Sequence, residues 1–141
     1  MGYHADIESE LITLLEAGLP RTVPVLNGLA VDEAQADRLP QFVFLVRDSI
    51  DLDPHQEIRP DVDSTQQPER WTWSIDVKGG AGGARLTDRG REVDVMLEAV
   101  RTSIGARQMT DCGPLHLVAE EYVGASGTGV VYRQTWTHER F

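Results

Sequence analysis

The sequence predicts an α+β domain in which two α-helices flank one mixed, mostly antiparallel β-sheet, with the elements in the order α-β-β-β-α-β-β. Three observations lead to this fold class. An amphipathic segment opens the chain, a strictly alternating segment occupies residues 71–78, and a second amphipathic segment precedes two β-prone segments joined by a glycine-containing turn. Because 141 residues can bury a core without disulfides, we expect one domain over residues 1–141.

The first helix is predicted to begin at Asp6, whose carboxylate can cap free backbone N–H groups. Gly18 and Pro20 are typical of a helix end. Apolar side chains recur between them at helical spacing, at Ile7, Leu11, Leu14 and Leu15. The segment therefore predicts a helix of about three turns that docks on the sheet through one stripe.

Three strands are predicted before the second helix. Residues 22–26 indicate a short edge strand, since Pro24 cannot donate a ladder hydrogen bond. Residues 41–48 are apolar on both faces, which is typical of a central strand. Residues 71–78 alternate, so we expect the face that starts with Trp71 to be core and the face that ends with Lys78 to meet solvent or a lumen.

The second helix and a closing hairpin complete the predicted fold. Asp88 can cap a helix that ends near Gly105. Its apolar positions follow helical spacing at Val93, Met96, Leu97, Val100 and Ile104. Strands are then predicted at residues 115–123 and 130–137, with a turn at residues 124–129.

Charge and composition restrict the classes of function. The net charge of −10 argues against a groove that grips nucleic acid, which requires clustered cations. A single cysteine, Cys112, excludes an internal disulfide. The N-terminus lacks the pattern of a signal peptide and no window is apolar enough to span a membrane, so we expect an intracellular product without membrane contact.

The glycine-rich segment at residues 78–85 resembles a phosphate-binding loop but lacks its essential residues. No Gly-Lys-Ser/Thr triplet is present, because Lys78 precedes the glycines. Arg85 stands where the dinucleotide fingerprint requires its third glycine. We therefore predict a loop over residues 78–87 that contacts another protein. The candidate interface residues in this loop and directly after it are Gly79, Gly80, Gly82, Gly83, Arg85 and Arg89.

A second long loop is predicted over residues 50–70, which are rich in Asp, Pro, Gln and Glu. Clustered carboxylates raise the possibility of a Ca²⁺ site, but Gln56 and Val62 replace the glycine and the bidentate glutamate of an EF-hand loop. A solvated acidic loop or contact arm is the preferred interpretation. The candidate interface residues here are Asp51, Asp53, His55, Glu57, Arg59, Asp61 and Asp63.

No residue pattern predicts catalysis, so the sequence predicts no enzyme, no cofactor and no metal. The four histidines are dispersed, and Ser126 lacks the final glycine of a nucleophile elbow because Thr128 occupies that position. Trp71 and Trp73 share a face and could stack on a ligand. Since Ile75 and Val77 lie on the same face, core packing is the favoured interpretation.

The whole chain resembles the tail terminator, or tail-completion, proteins of long-tailed bacteriophages and related prophage-derived particles. The similarity lies in chain size and in a few segments: residues 6–15, 42–46, 83–86, 93–104 and 131–136. The resemblance implies an α+β subunit that forms a hexameric ring on the tail tube, ends tube polymerisation and offers a joining surface to the head connector. It also implies a virion protein of the tail and neck, made in the host bacterial cytoplasm, through which DNA passes without specific binding.

Two alternatives remain open from the sequence. One is another neck protein, such as a head-completion or adaptor subunit. The other is a small α+β domain that binds a ligand or metal through the glycine segment and the acidic loop. Stabilisation by nucleotide or Ca²⁺ would favour the second alternative, whereas rings of the purified protein would favour the tail terminator.

Overall fold

The computed structural model describes residues 3–27, 38–52, 69–80, 86–105, 107, 113–126 and 129–140. Its elements are, in chain order, α1 (Tyr3–Gly18), β1 (Val25–Asn27), β2 (Phe42–Leu52), β3 (Glu69–Gly79), α2 (Leu86–Ile104), β4 (His116–Ser126) and β5 (Gly129–Arg140). The predicted α+β class and element order are confirmed.

The strands form one five-stranded sheet in the order β1-β2-β3-β5-β4. β1 runs parallel to β2, with Val25 opposite Val43. All other neighbours are antiparallel, so the sheet is mixed and mostly antiparallel as predicted. β3 lies at the centre, and β1 and β4 lie at the two opposite edges.

Both helices pack on one face of the sheet. Trp71, Trp73, Ile75 and Val77 of β3 are all buried in the main core cluster, which confirms the core face predicted from their alternation. The helices contribute the apolar positions expected from the sequence, among them Ile7, Leu11, Leu15, Val93, Leu97, Val100 and Ile104. The two helices have 16 and 19 residues. They are stabilised by burial of these apolar side chains against the sheet, and not by helix propensity alone.

The helices approach each other closely where α1 ends. A Cβ atom added to Gly18 would lie 2.8 Å from the Cβ of Ser103 on α2. Ser103 is buried and donates a hydrogen bond from its hydroxyl to the carbonyl of Ala99 at 2.6 Å. Gly18 is therefore required by the small distance between the helices.

The opposite face of the sheet is more buried than the sequence predicts. Lys78 is 1% exposed and its Nζ lies 5.8 Å from the centre of the Phe42 ring. Phe42 and Val131 are the buried members of a second, smaller cluster that also contacts Leu39. The expectation that Lys78 meets solvent or a lumen is wrong, because this cluster covers its stem while the aromatic face attracts its charge.

Several element ends differ from those predicted. α1 and α2 begin at Tyr3 and Leu86, so neither Asp6 nor Asp88 is the first residue of its helix. The loop predicted over residues 50–70 is shorter at both ends, since Asp51 still pairs with Arg70. The other loop is shorter too, because β3 continues through residues 78 and 79 and α2 already includes residues 86 and 87. β2 and β3 continue into the polar residues that suggested a loop, because they pair with each other there.

Candidate interaction surface

β4 is a long edge strand whose side chains are largely exposed. It spans eleven residues and pairs only with β5 among the described residues. Among the side chains that the structure describes, five large apolar ones are exposed, and four of them belong to this strand: Leu117, Val118, Tyr122 and Val123. An exposed apolar edge strand is a site for association with another chain, because it presents both hydrophobic area and free backbone groups.

Two β-bulges interrupt β4. Its register against β5 shifts between Leu117 and Ala119 and again between Tyr122 and Gly124. Each shift leaves one valine, Val118 or Val123, without a directly paired residue on β5. The strand is in regular register with β5 over residues 116–117, 119–122 and 124–126, so the two bulges divide its edge into short stretches that are a poor template for a continuous ladder.

A chain of hydrogen bonds fixes β4 to the rest of the fold. Gln134 of β5 is fully buried and donates from Nε2 to the Leu97 carbonyl of α2 at 3.2 Å and to Glu120 Oε1 of β4 at 2.8 Å. Arg101 of α2 forms an ion pair with the same Glu120 carboxylate. β4 is thus held by a buried amide and a charged side chain, which keeps the edge in one position.

The charged side chains around Glu120 form ion pairs within the subunit. Arg101 also binds Glu98 Oε2 at 2.8 Å, and the hydrogen bond with Glu98 is the main cause that raises the pKa of Arg101, helped by the nearby Glu120 charge. Glu120 is therefore paired with a cation within its own subunit. Glu121, which follows it, is exposed and lies opposite Arg133 on β5.

The face of the sheet away from the helices carries a second set of polar pairs. Arg133 of β5 donates to Asp76 of β3 through Nε at 2.8 Å and through an Nη at 3.2 Å. This pairing raises the pKa of Arg133, with the hydrogen bond to Asp76 as the largest cause. Ser74 donates a hydrogen bond to Asp48, the residue at the irregularity of β2. These charges are satisfied locally and do not form an open anion-binding surface.

Two open clefts lie near the edges of the sheet. One has a volume of about 430 Å³ at the start of β4 and is lined by Arg70, Gly113, Pro114, His116, Val118, Thr137, His138 and Glu139. The other has a volume of about 470 Å³ beside β1 and is lined by Glu16, Pro20, Arg21, Val23, Pro24 and Val25. The surface of the first cleft is mainly apolar, whereas that of the second is more polar than apolar.

A buried histidine lies under the helix layer. His138 is 1% exposed, and its Nε2 accepts a hydrogen bond from the indole Nε1–H of Trp73 at 2.9 Å. Its Nδ1 is buried and has no hydrogen-bond partner in the described part of the chain. Burial lowers the pKa of His138 from 6.5 to about 4. The two tryptophans beside it belong to the core, which confirms the interpretation preferred from the sequence.

The described residues offer few features of a catalytic or metal site. Within them, no group of three or more histidine, cysteine, aspartate or glutamate side chains could hold a metal ion. Neither α1 nor α2, as described, is both long and apolar enough to cross a membrane.

The structure describes only part of the predicted interface set. Asp51 is exposed at the end of β2, and Ser49 donates to its carboxylate at 3.4 Å. Gly79 is buried as the last residue of β3, where an added Cβ would lie 2.9 Å from the sulfur of Met96, and Gly80 has a φ of 81°. Arg89 is described only as backbone within α2. Outside the described residues lie Asp53, His55, Glu57, Arg59, Asp61, Asp63, Gly82, Gly83 and Arg85.

Sequence reasoning did not select β4 as a candidate surface. Its signal is nevertheless present, because Leu117-Val118 and Tyr122-Val123 are adjacent apolar pairs that break the alternation of a half-buried strand. Two such breaks within one strand indicate bulges and apolar side chains on both faces. β-bulges are most frequent at the edges of sheets, so the pattern also points to an edge position.

Comparison with known proteins does not assign the chain to a family. No protein family model matches the sequence, and no curated protein is significantly similar to it.

Proposed function

We propose that this chain is a structural subunit of a bacteriophage tail, of the tail-terminator type. It assembles as a homo-oligomeric ring, with six subunits as the expected number, on the end of the tail tube. The ring ends polymerisation of the tube protein and provides the surface that joins the tail to the head connector. The protein is made in the host bacterial cytoplasm and becomes part of the virion neck.

The observation that supports this proposal best is the exposed β4 edge. Four large apolar side chains on one edge strand are costly for a protein that stays monomeric, because such an edge promotes uncontrolled association. A subunit that covers the edge in its assembly avoids this cost. The resemblance of the whole chain to tail terminators favours a ring on the tail tube as this assembly. The α+β fold is the class that the resemblance implies.

The charge distribution is consistent with a ring that DNA crosses. The net charge of −10 disfavours adhesion of phosphates. On the face away from the helices, Arg133 is paired with Asp76 and Lys78 is buried against Phe42. These two cations are thus occupied within the subunit, which is consistent with DNA passing without specific contacts.

Tube polymerisation tests the proposal. Tube protein from the same source is polymerised with and without the purified chain, and tube length is measured by negative-stain electron microscopy. We expect the chain to bind one end of each tube and to stop elongation at substoichiometric amounts. Tubes of unchanged length without end-bound density would contradict the proposal.

A second measurement separates this function from ligand binding. The thermal midpoint of unfolding is recorded with and without ATP, NAD or Ca²⁺. Because no nucleotide motif is complete in the sequence, we expect no increase in the midpoint. A clear, saturable increase with one of these ligands would instead favour a small ligand-binding domain.

A further inference from the structure

The cleft at the start of β4 combines mainly apolar walls with a buried histidine. It has a volume of about 430 Å³ and is lined by Val118, which is 61% exposed on the β4 edge. His138 also lines it, although only 1% of this residue is exposed. A lining residue with so little exposure lies at the base of a cleft and not on its rim. The cleft therefore connects the apolar β4 edge with the buried imidazole.

His138 carries one polar hydrogen that nothing in the described part of the chain accepts. Its Nε2 accepts the indole N–H of Trp73 at 2.9 Å, so the neutral ring has its proton on Nδ1. That Nδ1 is buried and has no hydrogen-bond partner. Because an unpaired buried donor is costly, native proteins contain few of them, and a role in binding is one reason to keep one. The base of the cleft thus favours an occupant that brings a hydrogen-bond acceptor.

The charged side chains that line the cleft favour an uncharged occupant. Arg70 Nη2 lies 3.8 Å from Glu139 Oε1, and these side chains are 64% and 52% exposed. An anion would compete with Glu139 for Arg70, and a cation would compete with Arg70 for Glu139. The net charge of −10 further disfavours an anion. With Pro114 and Val118 in its walls, the cleft suits an apolar group that has a carbonyl beside it.

Continuity with the β4 edge identifies the occupant as part of a protein. Val118 belongs both to the cleft and to the exposed apolar edge, and the exposed Leu117 precedes it. A small molecule in the cleft would leave that edge in water. A segment of another protein can cover the edge and place one side chain in the cleft, and it supplies a carbonyl at every residue.

We infer that this cleft binds an extended, uncharged segment of another protein. One apolar side chain of the segment lies between Pro114 and Val118, and a backbone carbonyl accepts the hydrogen bond of His138 Nδ1–H. Because Nδ1 is buried in the free chain, binding includes a small displacement of the side chains that cover it. The site goes beyond the proposed function, since it does not depend on which assembly the chain belongs to.

Titration with a blocked amino acid tests the site by NMR. N-acetyl-leucine N-methylamide has one apolar side chain and two carbonyls but no charge. We expect saturable shifts, with a dissociation constant of roughly 1–10 mM, at the ring N–H of His138 and at the backbone amides of Gly113, Val118 and Thr137. The absence of saturable shifts at these positions, up to the solubility limit of the probe, would overturn the inference.

Two related probes test the chemistry of the occupant. N-acetyl-glycine N-methylamide keeps the carbonyls but lacks the apolar side chain, so we expect at least tenfold weaker binding. N-acetyl-leucine with a free carboxylate should also bind more weakly, because the carboxylate lies near Glu139. Equal binding of the glycine probe would remove the apolar contact, and tighter binding of the carboxylate would show an anion site at Arg70; either result would contradict the inference.

A pair of exposed valines tests the position of the site. Val118→Asp places a charge in the wall of the cleft, and we expect at least a tenfold loss of affinity for N-acetyl-leucine N-methylamide. Val95→Asp is the matched control, because Val95 is 68% exposed on α2 and does not line the cleft. It should bind the probe like the wild type. Unchanged binding by Val118→Asp, or equal losses in both variants, would place the site elsewhere.

His138→Phe tests the hydrogen bond, because it keeps a ring at the base of the cleft but removes the donor. With the fold confirmed by near-UV circular dichroism, we expect about tenfold weaker binding of the same probe. Binding as tight as that of the wild type would assign the Nδ1–H to a buried water and overturn its part in the site. If this variant does not fold, the valine pair decides.

Failure of this site and failure of the proposed function are distinguishable. Tube capping is measured separately from binding of the probe. A chain that stops tube growth but does not bind N-acetyl-leucine N-methylamide retains the proposed function and loses only this site.

Discussion

Trp73 and His138 stack across two neighbouring strands, with an angle of 18° between their rings and an indole Nε1–H that donates to the imidazole Nε2 at 2.9 Å. The accepting Nε2 requires that the proton of the neutral imidazole resides on Nδ1. Protonation of His138 would replace this acceptor by a second N–H and would place a charge in a buried site. The neutral form is therefore favoured, and the pKa of His138 falls to about 4.

This pairing predicts that acid destabilises the fold. The folded pKa lies below the unfolded value of 6.5, so the unfolded chain binds the proton more readily between pH 6.5 and pH 4. Stability is complete above pH 6.5 and decreases as the pH falls. From pH 7.5 to pH 5 we expect His138 to remove about 2 kcal/mol from the free energy of unfolding. Urea denaturation at a series of pH values measures this change.

His138→Phe provides the control for other titrating groups. Phenylalanine preserves ring packing but neither titrates nor accepts the hydrogen bond of Trp73, so it lowers stability by an amount that does not depend on pH. The difference between wild type and variant should therefore shrink as the pH falls from 7.5 to 5. A difference that stays constant would show that His138 does not carry the acid sensitivity.

The close contact between Gly18 and Ser103 predicts opposite effects for two glycine substitutions. Gly18→Ala brings a methyl group to 2.8 Å from the Cβ of Ser103, and we expect it to lower the free energy of unfolding by about 1–3 kcal/mol. Gly90→Ala is the matched control, since Gly90 is exposed on α2 and an added Cβ meets nothing within 4 Å. It should raise the free energy of unfolding by about 0.5–1 kcal/mol.

Chemical denaturation of both variants at one pH distinguishes these outcomes. Stabilisation by Gly18→Ala would mean that α1 and α2 are further apart than described. Destabilisation by Gly90→Ala would instead indicate that this part of α2 contacts something that an extra methyl group disturbs.

Gln134 is expected to control both stability and the mobility of the β4 edge. Gln134→Leu removes its hydrogen bonds to Glu120 and Leu97 and leaves the indole N–H of Trp136 without its acceptor. We expect a loss of about 1–3 kcal/mol, because the abandoned groups are buried. Hydrogen exchange of β4 amides should become faster, since the strand loses its link to α2.

Gln41→Leu is the control for this substitution. The Gln41 amide donates to the Thr22 carbonyl at 3.1 Å in an exposed position, where water can replace the bond. Its loss should cost less than about 0.5 kcal/mol. If both glutamine variants had the same stability and the same β4 exchange rates, the proposed anchor of β4 would be wrong.

The fold was largely predictable because burial imposes a simple period on its main elements. The alternation through Trp71 and Trp73 identified the buried face of β3, and the spacing of Val93 and Val100 identified the buried face of α2. The role of Gly18 was not predictable in this way. The sequence predicts that Gly18 ends a helix. In the structure a larger residue at this position would clash with Ser103, which is 85 positions away in the sequence and is brought near only by packing.

The candidate surface was less predictable than the fold. The sequence predicted the interface in polar and glycine-rich segments, because loops are variable and often carry contacts. β4 was recognised as a strand, but its exposure depends on sheet order, which the strand's own sequence does not specify. Only the placement of β4 outside β5 makes Val118 and Val123 accessible. Likewise, the burial of Gln134 and His138 follows from their position beneath the helices and not from any local pattern.

Ring formation is the central claim, and imaging combined with mass measurement tests it most directly. The purified chain, alone and with its tube protein, is examined by negative-stain electron microscopy and multi-angle light scattering. The account predicts closed rings with about six times the subunit mass of 15.6 kDa, either free or seated on tube ends. A chain that stays monomeric at 15.6 kDa in both preparations, with no ring on any tube, would contradict it.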